Sequence, residues 1–365
     1  MKEKLLRRLL EELGPKSQSM HSTKAIVGLD GFVHDVLETE GAPDDGGSWQ
    51  DLVLAHYGGG DVADGTLNVR ESRLGGVAPV YAEGLVALGS LVHFYGAVGA
   101  GEPMEEATGF LTGRKVAAIG EPGRSYCLEF SDGASLLGVA SSPKVASLKE
   151  VIRQVGEGLF MDVFSRADLI VLSGASGLDV LAGWGFGLLE KVLPNTFPRD
   201  RRHFLIDLAH VGMHSGANLS SVLEVAAQLH SHGETTLGFS RETLSAAANA
   251  LETGAAGNWE RELAHVHDRL GVRACLLFGE TTPCAVATRE GVHSCSSNMT
   301  LSGGFLCPAP RSFFTAYSAA TLAGISQKCR LPLAVAAAEY RFLNKIPPSW
   351  VEIDAYIRQK LSENG

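Results

Sequence analysis

The chain has 365 residues, 45% of them hydrophobic, and a formal net charge of −10. That length and apolar content allow one large α/β domain with a small addition, or two ordinary domains, and exclude a disordered chain. The acidic balance argues against nucleic acid or an anionic membrane surface as the main partner, and no apolar run reaches the length of a transmembrane helix.

The opening stretch MKEKLLRRLLEEL alternates charge with leucine, which predicts an amphipathic surface helix within residues 1–20 and not the apolar core of a secretory signal. KAIVGL, Lys24 to Leu29, predicts the first strand, ending at the turn Asp30-Gly31 and followed by FVHDVL. An acidic residue at the carboxyl end of a sheet strand either meets a ligand or caps the turn, and Asp30 and Asp35 are the candidates. Residues 41–74 are rich in Gly, Asp and Ser and form a polar excursion without the ligand spacing of a calcium loop. Gly75-Gly76 then turns the chain into an Ala- and Leu-rich helix ending near Gly89, followed by a strand from Leu91 to Tyr95.

GRSYCLEFSDGASLLG, residues 123–138, predicts a hairpin about Ser131-Asp132-Gly133. From Asp168 onward strands and helices alternate: strands at 169–174, 203–210, 235–240, 273–280 and 283–295, and helices at 184–192, 219–229 and 241–251. This is the pattern of one parallel sheet with helices on both faces. In SGGFLCPAPRSFFTAYSAATLAG, residues 302–324, a loop from Cys307 to Arg311 feeds a helix starting at Ser312. A helix N-terminus of this kind attracts anions, so Arg311 is either a phosphate ligand or a surface residue beside Pro310.

Six cysteines without a CxxC pair predict reduced, buried thiols in a cytoplasmic protein. The pairs His210/His214, His230/His232 and His265/His267 would need a third ligand to hold zinc, and no metal site is assigned to them. Ser173 in LSGASGLD lacks the Gly-x-Ser-x-Gly spacing of a nucleophile elbow, and no dinucleotide fingerprint follows the first strand.

The Gly75-Gly76 turn with Ala82, Leu88, Gly89, Gly96 and Gly99, the hairpin, the strand order, and the last long helix with Phe314 and Ala316 in register resemble the ribokinase-like (PfkB-type) carbohydrate kinases. The resemblance implies a doubly wound, mostly parallel α/β sheet over residues 21–345, a small β lid drawn from about 41–75 and 123–142, and a C-terminal helix within 346–365. It implies a homodimer through the lid, a sugar- or nucleoside-type ligand, and ATP with Mg2+. By position it implies Asp30, Asp35, Gly75 and Gly76 on the substrate side, Ala309 and Arg311 in the phosphate loop, and Ser240 and Thr243 on the nucleotide side.

The chemistry-bearing positions depart from that family. Its Gly-Ala-Gly-Asp run is replaced by Ala309, Pro310, Arg311 and Ser312, so the carboxylate that accepts the sugar proton is a serine and one backbone donor is lost at proline. Two positions often filled by Asn are Val77 and Val80, and the Asn and Glu that arrange magnesium and phosphates are Ser240 and Thr243, with Glu242 one place off. The expected function is therefore a catalytically impaired homologue that binds a small molecule or a protein. The alternatives are an active sugar or nucleoside kinase using Asp30 or Asp35 as base with Arg311 neutralising charge, and a structural subunit of an assembly.

Overall fold

The computed structural model describes residues 3–16, 22–39, 67–111, 114–130, 133–173, 177–196, 202–209, 216–252, 257–279, 282–297, 299 and 307–363. The large sheet is built from β1 (Lys24–Leu29), β4 (Leu91–Gly96), β6 (Lys115–Glu121), β10 (Leu169–Ser173), β11 (His203–Asp207), β12 (Glu234–Phe239), β13 (Ala274–Leu277), β14 (Cys284–Thr288) and β15 (Gly291–Cys295), with the short β5 (Gly99–Ala100) and β9 (Lys144–Val145) at one edge. Its order is β15-β14-β13-β12-β11-β10-β1-β4-β6-β5, with β9 also pairing β6. From β13 through β6 the neighbours are parallel. The final hairpin β14–β15 adds antiparallel, as a short connection requires, so the sheet is mixed at that edge.

β10 and β11 are buried along their whole length. Alternate residues serve opposite faces: Val171 and Leu205 join one apolar cluster, Ile170 and Ile206 the other. The first cluster is closed by α1 (Glu3–Lys16), α2 (Val77–Ala87), α9 (Ala309–Leu322), α10 (Gln327–Asn344) and α11 (Trp350–Glu363). The second is closed by α3 (Leu148–Val155), α4 (Glu157–Arg166), α5 (Leu178–Gly187), α6 (Gly216–Leu229), α7 (Arg241–Ala250) and α8 (Trp259–Leu270). Several ends differ from the sequence reading: the helix placed at Trp184 starts at Leu178, and the strand placed at 203–210 ends at Asp207.

A separate four-stranded sheet, ordered β3-β2-β7-β8, is formed by β2 (Phe32–Thr39), β3 (Leu67–Gly75), β7 (Gly123–Phe130) and β8 (Gly133–Ser141). The segment FVHDVL, left without a strand in the sequence reading, is central to this small sheet, pairing antiparallel with β3 and parallel with β7. Residues 41–66 lie outside the described residues.

α1 is a surface helix that buries one stripe, Leu6, Leu9 and Leu13, against α10 and α11. It is also stapled by a polar contact: Glu12 accepts hydrogen bonds from the Ser326 amide and hydroxyl, both at 2.7 Å, at the head of α10.

Candidate functional site

The site grows from the carboxyl ends of β1, β10 and β11, which stand side by side in the sheet. Asp30 directly follows β1 and is fully buried. Its carboxylate accepts the Val77 and Ala78 amides at 2.7 and 2.6 Å and the Ser173 hydroxyl at 2.7 Å. Asp30 thus caps α2, a service that Gly76 cannot perform for want of a side chain. Gly76 itself has φ +113°, and a Cβ there would sit 3.0 Å from Asp30 Oδ2. The glycine therefore allows both the turn and the close approach of the carboxylate.

Asp207 ends β11 and is also buried. It accepts the Tyr81 hydroxyl at 2.9 Å and the Ala209 amide at 2.8 Å. α2 thereby presents two features to the sheet: its first amides to Asp30 and, one turn later, Tyr81 to Asp207.

The third partner comes from α9, which begins at Ala309, two residues before the predicted end of the loop. Ala309, Pro310 and Arg311 form its first turn, where the missing proline N–H would have had no intrahelical acceptor. Arg311 is neither a surface residue nor the edge of an open loop: only 4% of it is exposed. One guanidinium nitrogen donates to the Cys307 carbonyl at 3.1 Å, and Nε has no hydrogen-bond partner among the described residues. α9 packs on α2 in the same face. Gly84 gives it room, since a Cβ there would lie 3.2 Å from Thr315 Cγ2.

Electrostatics tie the group together. Burial pushes Asp30 and Asp207 above the ordinary carboxylate value, opposed by their hydrogen bonds and by the positive charge of Arg311. Burial pulls Arg311 down, opposed by Asp207, Tyr81 and Asp30. Two acids, one guanidinium and a phenol therefore share a closed polar centre in which each charge is offset by its neighbours.

The remaining candidates make contacts of their own. Asp35 is on β2 of the small sheet, 1% exposed, where it accepts Ser72 Oγ at 2.6 Å and Arg124 at 3.1 Å. Gly75 ends β3 in the same sheet, against the ring of His34. Ser240 and Thr243 form a reciprocal cap at the head of α7: the Ser240 amide donates to Thr243 Oγ1 at 3.0 Å and the Thr243 amide to Ser240 Oγ at 3.3 Å. Ser312 follows Arg311 in α9, its amide donating to the Pro308 carbonyl. His210 and His214 lie outside the described residues. His230 accepts the Thr235 amide and His267 pairs with Asp268, and no metal-binding cluster occurs among the described residues. Among the described residues none of the six cysteines is in a disulfide.

Two members of the centre escaped the sequence reading. Tyr81 sits in an apolar helix where nothing marks it as polar, and Ser173, weighed there only as a nucleophile, is a donor to Asp30.

The sequence matches no protein-family model and no curated protein. Solved structures do match. Phosphofructokinase-2 from Escherichia coli, in complex with potassium, aligns with a TM-score of 0.61 and 13% identity, covering 93% of this chain and 99% of that chain. Arabidopsis thaliana ribokinase, complexed with ribose and ATP, gives 0.57 and 14%, covering 92% and 98%. The Methanocaldococcus jannaschii nucleoside kinase, an archaeal member of the ribokinase family, gives 0.56 and 11%, covering 92% and 98%. The chain has the ribokinase-like fold along nearly its whole length. No described helix is long and apolar enough to cross a membrane.

Proposed function

We propose that this chain is a ribokinase-fold homologue of carbohydrate kinases that has given up phosphoryl transfer and serves as a binding protein for a small molecule or a protein partner. The observation that carries the reading is the closed centre at the head of α9. A kinase of this kind needs a carboxylate free to accept a hydroxyl proton and a run of open backbone donors for the transferring phosphoryl group. Here the carboxylate position is Ser312, and a fully buried arginine occupies the turn before it.

The alternative of an active kinase with a different base fares worse on geometry. Asp30 is 0% exposed and already accepts two amides and a hydroxyl. Asp35 is held by Ser72 and Arg124 in the small sheet. Both carboxylates are buried, and the positive charge of Arg311 acts on Asp30 and Asp207 in place of a phosphate. ATP with Mg2+, which the Arabidopsis relative's ATP complex makes a natural probe, is accordingly a candidate ligand and not a cosubstrate.

The test is ADP release from magnesium ATP across a panel of sugars and nucleosides, run beside thermal melts with the same compounds. The expected result is no turnover, with a stability gain from at least one compound or partner. Substrate-dependent ADP release would overturn the proposal. Replacing Arg311 by Gly and Ser312 by Asp together is expected to leave turnover absent, because Val77, Val80, Ser240 and Thr243 still lack the polar groups of the kinase site.

A further inference from the structure

At the opposite end of the strands, where β1, β4 and β6 begin, a cavity of about 380 Å³ opens between the strand ends and α4. Its lining carries four cationic side chains, Lys24, Lys115, Arg114 and Arg166, against one acid, Asp162. In a chain of net charge −10 this is a local inversion of sign. The one acid is already engaged, since Arg166 meets Asp162 at 2.6 Å. The nearby Asp168 accepts the Lys24 backbone amide at 3.0 Å. Neither the Lys24 nor the Lys115 ammonium has an ion-pair partner among the described residues. Both act on His93 at the cavity wall, whose imidazolium is disfavoured first by burial and then by these two positive charges.

The rest of the cavity is apolar. Ile26, Val92 and Val163 line it, and Leu91 and Leu159 stand at its edge, 55% and 60% exposed. Large aliphatic side chains left in water beside a basic pocket are a surface still to be covered. A few placed charges, apolar walls and a volume within the usual range for small-molecule pockets, about 300–1,000 Å³, together describe a ligand site.

We propose that this cavity binds an organic phosphate with a planar apolar body, of nucleoside monophosphate size, its phosphate between Lys24, Lys115 and Arg166 and its ring against the aliphatic wall. The site lies at the amino ends of the strands, across the sheet from the Asp30–Asp207–Arg311 centre, and is independent of it.

Calorimetric titration of the full chain with AMP, adenosine and inorganic phosphate tests the assignment. The expected result is saturable AMP binding, with adenosine and phosphate each at least about tenfold weaker, because each supplies one half of the contact. Lys115→Glu and Arg166→Gln, both at exposed positions, are each expected to weaken AMP at least about tenfold. Ser312→Asp, which would repel a phosphate at the head of α9, is expected to leave AMP affinity unchanged. Absence of AMP binding at millimolar concentration, indifference to both cavity variants, or loss of affinity in Ser312→Asp would each overturn the proposal.

Discussion

The Tyr81 hydroxyl donates to Asp207 Oδ2 across 2.9 Å, joining a helix on one face of the sheet to the end of a central strand 126 positions away in the sequence. Tyr81 is fully buried, so its phenol has no water to replace this acceptor. Tyr81→Phe is expected to destabilise the fold by about 1.5–3 kcal/mol, the range for a hydrogen bond to a charged group. Urea unfolding measures it, with Tyr340→Phe as the comparison. Tyr340 donates to Glu352 in a more open setting, and its loss is expected to change stability by less than about 1 kcal/mol.

Removing the guanidinium is expected to do more damage than removing the phenol. Arg311→Met leaves Asp30 and Asp207 buried without their counter-charge, and breaking such a group from one side typically costs about 3–5 kcal/mol. Adding Asp207→Asn to Arg311→Met is expected to recover part of that loss, giving a non-additive pair in a double-mutant cycle. Additive effects would mean that the two charges do not interact.

Acid titration should expose two contributions of opposite sign. Burial raises Asp30 and Asp207 above 3.8, so the folded state holds their protons more tightly than the unfolded chain. Their favourable contribution is full below about pH 4 and fades as pH rises through the folded values. Glu12 runs the other way: burial opposes its ionisation, but the Ser326 amide and hydroxyl, Arg8 and Lys16 outweigh burial and pull it from 4.5 to about 2. Its contribution is present above 4.5 and lost as pH falls toward 2. Urea melts across this range are expected to show Glu12→Gln flattening the loss of stability toward low pH and Asp207→Asn flattening the loss of stability as pH rises above it.

Gly185 lies where α5 packs closely on α6. A Cβ there would lie 2.3 Å from Val225 Cγ1. Gly→Ala in a helix interior ordinarily stabilises by about 1 kcal/mol, whereas overpacking a closed core costs about 1–3 kcal/mol. Gly185→Ala is therefore expected to lower the unfolding midpoint, and pairing it with Val225→Ala is expected to remove the clash and leave the ordinary cost of a deleted core side chain.

The sheet was legible because its strands are apolar runs cut by turn residues: LIVLS and HFLID cannot be exposed without stranding most of their side chains in water. The small sheet was only half legible. In FVHDVLET apolar and polar residues come in pairs and do not alternate, so the strand period is absent, and the segment after the Asp30-Gly31 turn is given no strand in the sequence reading. At the site, the proposed loss of kinase groups rests on residue types alone, Ser312, Ser240 and Val77, because a single residue type decides whether a proton acceptor or amide donor is available. The fate of Arg311 could not be read in that way. Its neighbours Pro308, Ala309 and Pro310 read as a surface turn, and the partners that draw it inside, Tyr81, Asp30 and Asp207, lie more than a hundred positions away and are brought near only by the sheet. Local pattern carries the element; long-range charge pairing carries the burial.

The packing of α1 on α10 and α11 has a consequence for how the chain is made. Leu6, Leu9 and Leu13 are synthesised more than 300 positions before residues 327–363, which supply the surfaces that cover them. At about 5–20 residues per second that stripe stays uncovered for some tens of seconds, longer than an isolated domain takes to collapse. The nascent chain thus carries an uncovered apolar stripe until α10 and α11 have emerged.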